Sequence, residues 1–422
     1  MTNPSGSGRY ERAAHGPHGI PSAVALPGPP EVPIQRTVPA AERIRHPAAF
    51  GPPSVILVHD YLTQRGGAER VALEMARQFP GAPLLTTFYE PSTTFAGFQD
   101  VDVRPCLLSR LSPLRRDPRR AFPLLAGMIT VRRAPAGVVL ASSSGWAHGL
   151  RTRGPKIVYC HNPARWLYQP DDYFAALPRA ARRAIARLLA PLRTWDRRAA
   201  RSATRYLANS TVVAARIEKS YGITATVVHP PAGLLPDGPR EPIPGIEPGY
   251  FLTIGRRRGY KNNELVCAAA TAAGRRLVIV GGASADGAPG IVGVSDISDA
   301  QLRWLYANCA AVVAMSKEDF GLTPVEGFGF GKPCIALRAG GYLDSCVEGL
   351  TGTFVDEPDL HQLTRALHRF DPTRYSSSAI TRHAQRFSPA EFGRLLRDEV
   401  ARAAHPTPIA SRIRDSGTVR AV

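Results

Sequence analysis

The sequence predicts an α/β protein of two Rossmann-like parallel-sheet domains facing each other across a cleft. Three observations carry this. Short β-branched apolar runs alternate with helix-like stretches along the chain. The runs are continuously apolar, as strands buried on both faces are. A Pro/Gly-rich segment then splits the series in two, and 422 residues suit two domains of ordinary size.

Residues 1–50, rich in Pro, Gly, His and Arg without periodicity, read as a disordered leader. A first domain follows over 51–232, with strands expected at 55–58, 138–140, 157–159 and 226–228 and helices at 66–78 and 178–206. Within the Pro/Gly-rich stretch 230–249, residues 233–249 read as the linker. The second domain is expected over 250–385, with strands at 251–254, 277–280, 311–314 and 334–336 and helices at 262–273, 299–308 and 324–330. The tail, 403–422, reads like the leader. Parallel sheets of this kind bind ligands at the carboxyl ends of their strands.

No stretch approaches the roughly 18 apolar residues of a membrane helix, and the N-terminus lacks an apolar export signal, so a cytoplasmic protein is expected. Six scattered cysteines without a CxxC pair indicate neither a disulfide framework nor a zinc site. The formal charge is +19, nearly all of it from arginine. Genome-wide Arg/Ala/Pro bias accounts for such a charge; attraction to phosphate, anionic lipid or nucleic acid is the functional alternative. The arginines are dispersed, with no helix-turn-helix, RNP or zinc signature, so no specific nucleic-acid partner is expected.

Four segments carry candidate chemistry. After strand 251–254 comes Gly255-Arg-Arg-Arg-Gly-Tyr-Lys261, where Arg256 and Lys261 can stabilise the charge growing on a diphosphate leaving group; a basic surface turn is the plainer reading. After strand 311–314 comes Glu318-Asp-Phe-Gly-Leu-Thr-Pro-Val-Glu326. Thr323-Pro-Val-Glu326 has the form of a capping box, which predicts a helix starting there, its free N–H groups suited to phosphate. Glu318 and Glu326 can accept hydrogen bonds from sugar hydroxyls, or be loop charge and cap. In the first half, Gly66-Gly67 opens a helix in a turn fit for an anion, and His161 follows strand 157–159 as a cleft group or a structural histidine. Asp100-Val-Asp102 looks like a metal-binding DxD but lies in the wrong half.

Together these pieces resemble the retaining glycosyltransferases of family 4, which have the GT-B fold. Glu318-x7-Glu326 is the strongest match, followed by GRRRGYK (255–261) and LRAGGYLDSCVEGLTG (337–352). GGAER (66–70), YCHNPARWLY (159–168), ANSTVVAARIEKSYG (208–222) and HAQRFSPAEF (383–392) resemble a bacterial subgroup that builds cell-surface polysaccharides and glycolipids. The resemblance implies that Arg256 and Lys261 grip the donor diphosphate. Glu318, beside the Phe320–Leu322 backbone (Phe320, Gly321, Leu322), would hold the transferred sugar together with His161. Glu326 would bind the ribose and backbone near Ser295 the base, with Gly66 and Gly67 on the acceptor or phosphate side. A helix at 386–402 would cross back onto the first domain.

The resemblance further implies retention by front-face attack, without metal or other cofactor. The donor is a nucleotide sugar, GDP-mannose by subgroup and UDP-sugars next, and the acceptor a glycan or a polyprenyl or other lipid-linked one. Departures are Arg257-Arg258 in place of apolar residues, Asp344 where Glu is common, with an expected effect on sugar preference, and Ala232-Gly233 after the double proline. Arginines and apolar residues mix in 104–133. In 178–206, nine arginines accompany the stripe Ile185, Leu188, Leu189, Leu192 and Trp195. That is an ordinary core-facing helix with a basic back, or a surface for peripheral docking on anionic membrane. The rival readings are another GT-B enzyme, such as a nucleotide-sugar epimerase, and a basic nucleic-acid-binding non-enzyme.

Overall fold

The central strands of both sheets are buried on both faces, which is why they read as unbroken apolar runs. The computed structural model describes residues 54–116, 122–175, 177–255, 262–281 and 288–405. The expected leader, and the tail beyond 405, lie outside them.

The first sheet contains β1 (Val55–His59), β2 (Leu84–Thr86), β3 (Val103–Pro105), β4 (Val138–Ser143), β5 (Lys156–Cys160), β6 (Arg205–Ala208) and β7 (Thr226–Val227), in the order β3-β2-β1-β4-β5-β6-β7. The second contains β8 (Phe251–Ile254), β9 (Leu277–Val280), β10 (Ile291–Val294), β11 (Ala311–Ala314), β12 (Cys334–Leu337) and β13 (Gly352–Val355), in the order β10-β9-β8-β11-β12-β13. Every ladder is parallel; Leu57 of β1, for example, pairs with Leu84 on one side and Leu140 on the other. The strand order reverses between β1 and β4 and again between β8 and β11. These are the switch points where doubly wound sheets bind ligands.

One core surrounds the second sheet and two cover the faces of the first. Helix Gly67–Gln78 and the last helix, Pro389–Ala404, complete one face of the first sheet. Phe392, Leu396 and Val400 are buried there with Leu57, Leu140 and Tyr159, each such side chain contributing about 1.5–3 kcal/mol. The chain thus returns from the second domain to finish the first. No helix among the described residues is long and apolar enough to cross a membrane.

The 178–206 stretch departs from expectation. It is two helices, Arg179–Leu188 and Ala190–Arg201, followed by β6. Pro191 in the first turn of the second helix cannot donate to a preceding turn, so the first helix stops before it. The expected stripe divides as well. Leu189, Leu192 and Trp195 pack on the core, while Leu188 is 79% exposed.

A cleft at the carboxyl ends of both sheets

A cavity of about 1210 Å³ opens where the carboxyl ends of β1, β4 and β5 meet those of β8 and β11. From the second domain Gly255, Glu318, Gly321, Leu322 and Glu326 line it; from the first, Gly66, Gly67 and His161. Arg256 and Lys261 lie outside the described residues. Ser295 follows edge strand β10 and is exposed; Ile297, Ser298 and Asp299 line the cleft instead.

The expected capping box at Thr323 does not form. The helix runs Leu322–Gly329 with Gly321 at its N-cap, so Thr323 and Pro324 fall within the first turn. Gly321 causes the earlier start. Its φ of +88° is open to glycine, and a Cβ there would lie 2.1 Å from a ring carbon of Tyr342. Pro324 costs no hydrogen bond, because N–H groups in a first turn have no intrahelical partner. Glu326, displaced two positions further into the helix, is 9% exposed, and the Tyr306 hydroxyl donates to its Oε2 at 2.7 Å. Glu318 accepts from the Ser316 hydroxyl at 3.0 Å. Phe320 is buried and stacks on His229, which follows β7 of the first domain, 5.4 Å between ring centroids.

His161 closes the opposite wall. Its Nε2 lies 2.8 Å from Ser142 Oγ, which lies 3.0 Å from His59 Nδ1. Burial, then the neighbouring His59, hold the His161 pKa down to about 3, so the ring is neutral near pH 7. Below it, the Asp60 carboxylate accepts from the backbone N–H groups of Ser144, Trp146 and Ala147 and fixes the loop after β4. Gly66 N-caps helix Gly67–Gln78, but the buried Glu69 side chain folds back against it. A carboxylate of the protein's own thus occupies the turn that the sequence suggested for an external anion.

Two departures in sequence acquire structural meaning. Asp344 does not line the cleft. It accepts from the Thr211 backbone N–H at 2.6 Å and the Thr211 hydroxyl at 2.5 Å, at the N-terminus of helix Thr211–Tyr221 in the other domain. Gly233 leaves room for two cleft residues, since a Cβ there would lie 2.2 Å from Arg70 Cδ and 2.7 Å from Glu326 Oε1. Asp102 pairs with Arg104 at 2.6 Å, and among the described residues no cluster of His, Cys, Asp and Glu suits a metal ion. Sequence reasoning missed Ser142, Tyr306 and Asp319. Their roles come from contacts far along the chain, and only their nearness to strand ends or motifs hinted at them.

Two facing parallel sheets with this strand order and a shared cleft define the GT-B architecture. The chain belongs to the glycosyltransferases of the family 4 type: the family description Glycosyltransferase Family 4 matches residues 65–232, and Glycosyl transferases group 1 matches 243–370. Alpha-1,3/1,6-mannosyltransferase ALG2 of Dictyostelium discoideum is 36% identical over 87 residues, 20% of each chain. Matches of this kind span less than a quarter of the length of the curated relatives. Among solved structures, Anabaena HepE in complex with UDP superposes with a TM-score of 0.59 at 16% identity, covering 82% of this chain and 99% of that one. Sucrose-phosphate synthase of Thermosynechococcus elongatus gives 0.56 at 16%, covering 82% and 99%. At such identities the likeness is one of fold.

Proposed function

We propose that this protein transfers a hexose, with retention, from a nucleoside-diphosphate sugar to a glycan or lipid-linked acceptor in cell-envelope glycan synthesis. One observation carries the reading. Glu318 and Glu326 of one sheet and His161 of the other open onto a single cleft at the carboxyl ends of both. Glu318 binds sugar hydroxyls, Glu326 the ribose, and neutral His161 the far side of the sugar. Attack comes from the leaving-group face, with a donor phosphate oxygen taking the acceptor proton; the protein supplies positioning and charge stabilisation. The ALG2 match supports mannose, and the UDP in HepE supports a nucleotide donor.

The test is a panel of GDP-mannose, UDP-glucose, UDP-GlcNAc and UDP-galactose, read by thermal shift and by product anomeric configuration. GDP-mannose is expected to stabilise most, and Glu318→Ala and Lys261→Ala to abolish transfer in folded protein. Stabilisation by none of the four defeats the reading. The first domain also exposes Leu107 (78%), Val131 (81%) and Leu188 (79%) among its arginines, which supports docking on the inner face of an anionic membrane. Equal sedimentation with neutral and anionic vesicles would sink that part.

A further inference from the structure

Asp319 stands between Glu318 and Phe320, yet its bonds run to the other domain. Arg216 Nη1 lies 2.5 Å from its Oδ1, Arg165 Nη2 2.5 Å from its Oδ2, and Asn162 Nδ2 donates to Oδ1 at 3.1 Å. The Ser210 hydroxyl donates to its backbone carbonyl at 2.5 Å. Four side chains of the first domain thus converge on one residue of the second. Its carboxylate is only 18% exposed, so these charge-assisted bonds are partly shielded from solvent, the Arg216 bond more than that to Arg165, whose side chain is 43% exposed. From within its own domain the loop is braced by the Gly341 N–H, which donates to the Glu318 carbonyl at 3.0 Å.

The placement matters because of the neighbours. Asn162 follows His161, and Asp319 follows Glu318. The Asn162–Asp319 hydrogen bond therefore ties together the two residues that, on the reading above, hold the sugar from opposite walls. The Asn209 side chain also donates to the His161 carbonyl, at 3.0 Å, one residue before Ser210. We infer that Asp319 is a positioning residue that sets the register of the His161 wall against the Glu318 wall before the donor arrives. The inference rests on the proposed transferase reading for its kinetic consequence, while its structural consequence is independent of that reading. A protein that spends less time in the binding-competent register binds its ligand more weakly by the lost fraction, whereas saturating ligand restores the register.

Asp319→Asn keeps the shape and removes the charge that gathers Arg165 and Arg216. Without donor, amide exchange at 162–165, 209–213 and 318–322 is expected to speed up at least about tenfold, while β4 and β11 keep their protection. The donor KM is expected to rise about tenfold with kcat within about twofold. The Arg165→Met/Arg216→Met pair should reproduce both effects, and adding Asp319→Asn should make neither worse. Should Asp319→Asn fail to fold, the arginine pair carries the test. Unchanged exchange in these segments, a fall in kcat at constant KM, or additive effects in the triple variant would overturn the inference. Absence of transfer by the wild-type protein with every donor would instead count against the proposed function, and the exchange result would still decide the register.

Discussion

The chain contains two segments of one form, Thr323-Pro-Val-Glu326 and Ser388-Pro-Ala-Glu391, and they fold differently. In the second, the Ser388 hydroxyl accepts from the Glu391 N–H at 3.2 Å, Pro389 begins the helix, and Glu391 pairs on the surface with Arg394. In the first, the helix starts earlier at Gly321, Thr323 caps nothing, and Glu326 is carried to the floor of the cleft beneath Tyr306. The cap pattern is a local preference worth about 1 kcal/mol. It yields where a glycine with positive φ and a buried ring offer a tighter start. What distinguishes the cleft segment from the surface one is the residue two places before the motif.

That contrast can be broken most forcefully at the two glutamates. Glu326→Ala is expected to lower kcat/KM at least about 100-fold, two charge-assisted hydrogen bonds' worth, while Glu391→Ala leaves it within about twofold. Steady-state kinetics on the active donor decide this, and equal losses would erase the distinction. Next in size is Gly321→Ala, which puts a methyl against Tyr342 in a left-handed conformation. Denaturant unfolding should show a loss of about 2–3 kcal/mol, and a wild-type value would mean the helix can begin at Thr323 after all.

Smaller effects sharpen the same comparison. Ser388→Ala should cost about 1 kcal/mol and Thr323→Ala under about 0.5 kcal/mol; the reverse order would show that the capping box forms. The smallest effect concerns acid. Hydrogen bonding to Arg394 lowers the Glu391 pKa from its usual 4.5. A depressed carboxylate pKa contributes stability above the ordinary value, lost as pH falls through the folded one. A carboxyl NMR titration should put the Glu391 midpoint below 4.5, and Arg394→Met should raise it.

How much was legible follows from what each signal depends on. Strands β8, β9 and β11 could be read to the residue because each is a four-residue, mostly apolar run with Gly, Arg or Ala on at least one side. Strands β2 and β3 were not: each has three residues, and Val103-Arg-Pro105 is a half-exposed edge. Strand β6 was hidden because Arg205 and Tyr206 continue an arginine-rich helical pattern. Glu318 and Glu326 stood out because a motif marks them. Ser142 meets His161 across 19 residues and Tyr306 meets Glu326 across 20, while Arg165 reaches Asp319 across 154. Pairings set by tertiary packing leave no periodicity to read.

The last helix carries a consequence for synthesis. Phe392, Leu396 and Val400 seal a face of the sheet whose strands are complete by Val227. On the ribosome, the first domain must therefore wait, with Leu140 and Tyr159 uncovered, until some 170 further residues have emerged, about 10–30 s at ordinary elongation rates. A nascent chain with an apolar surface held open that long is a natural client for chaperones. Release from them would then be timed by the arrival of the C-terminal helix, so that neither half is finished before the other exists.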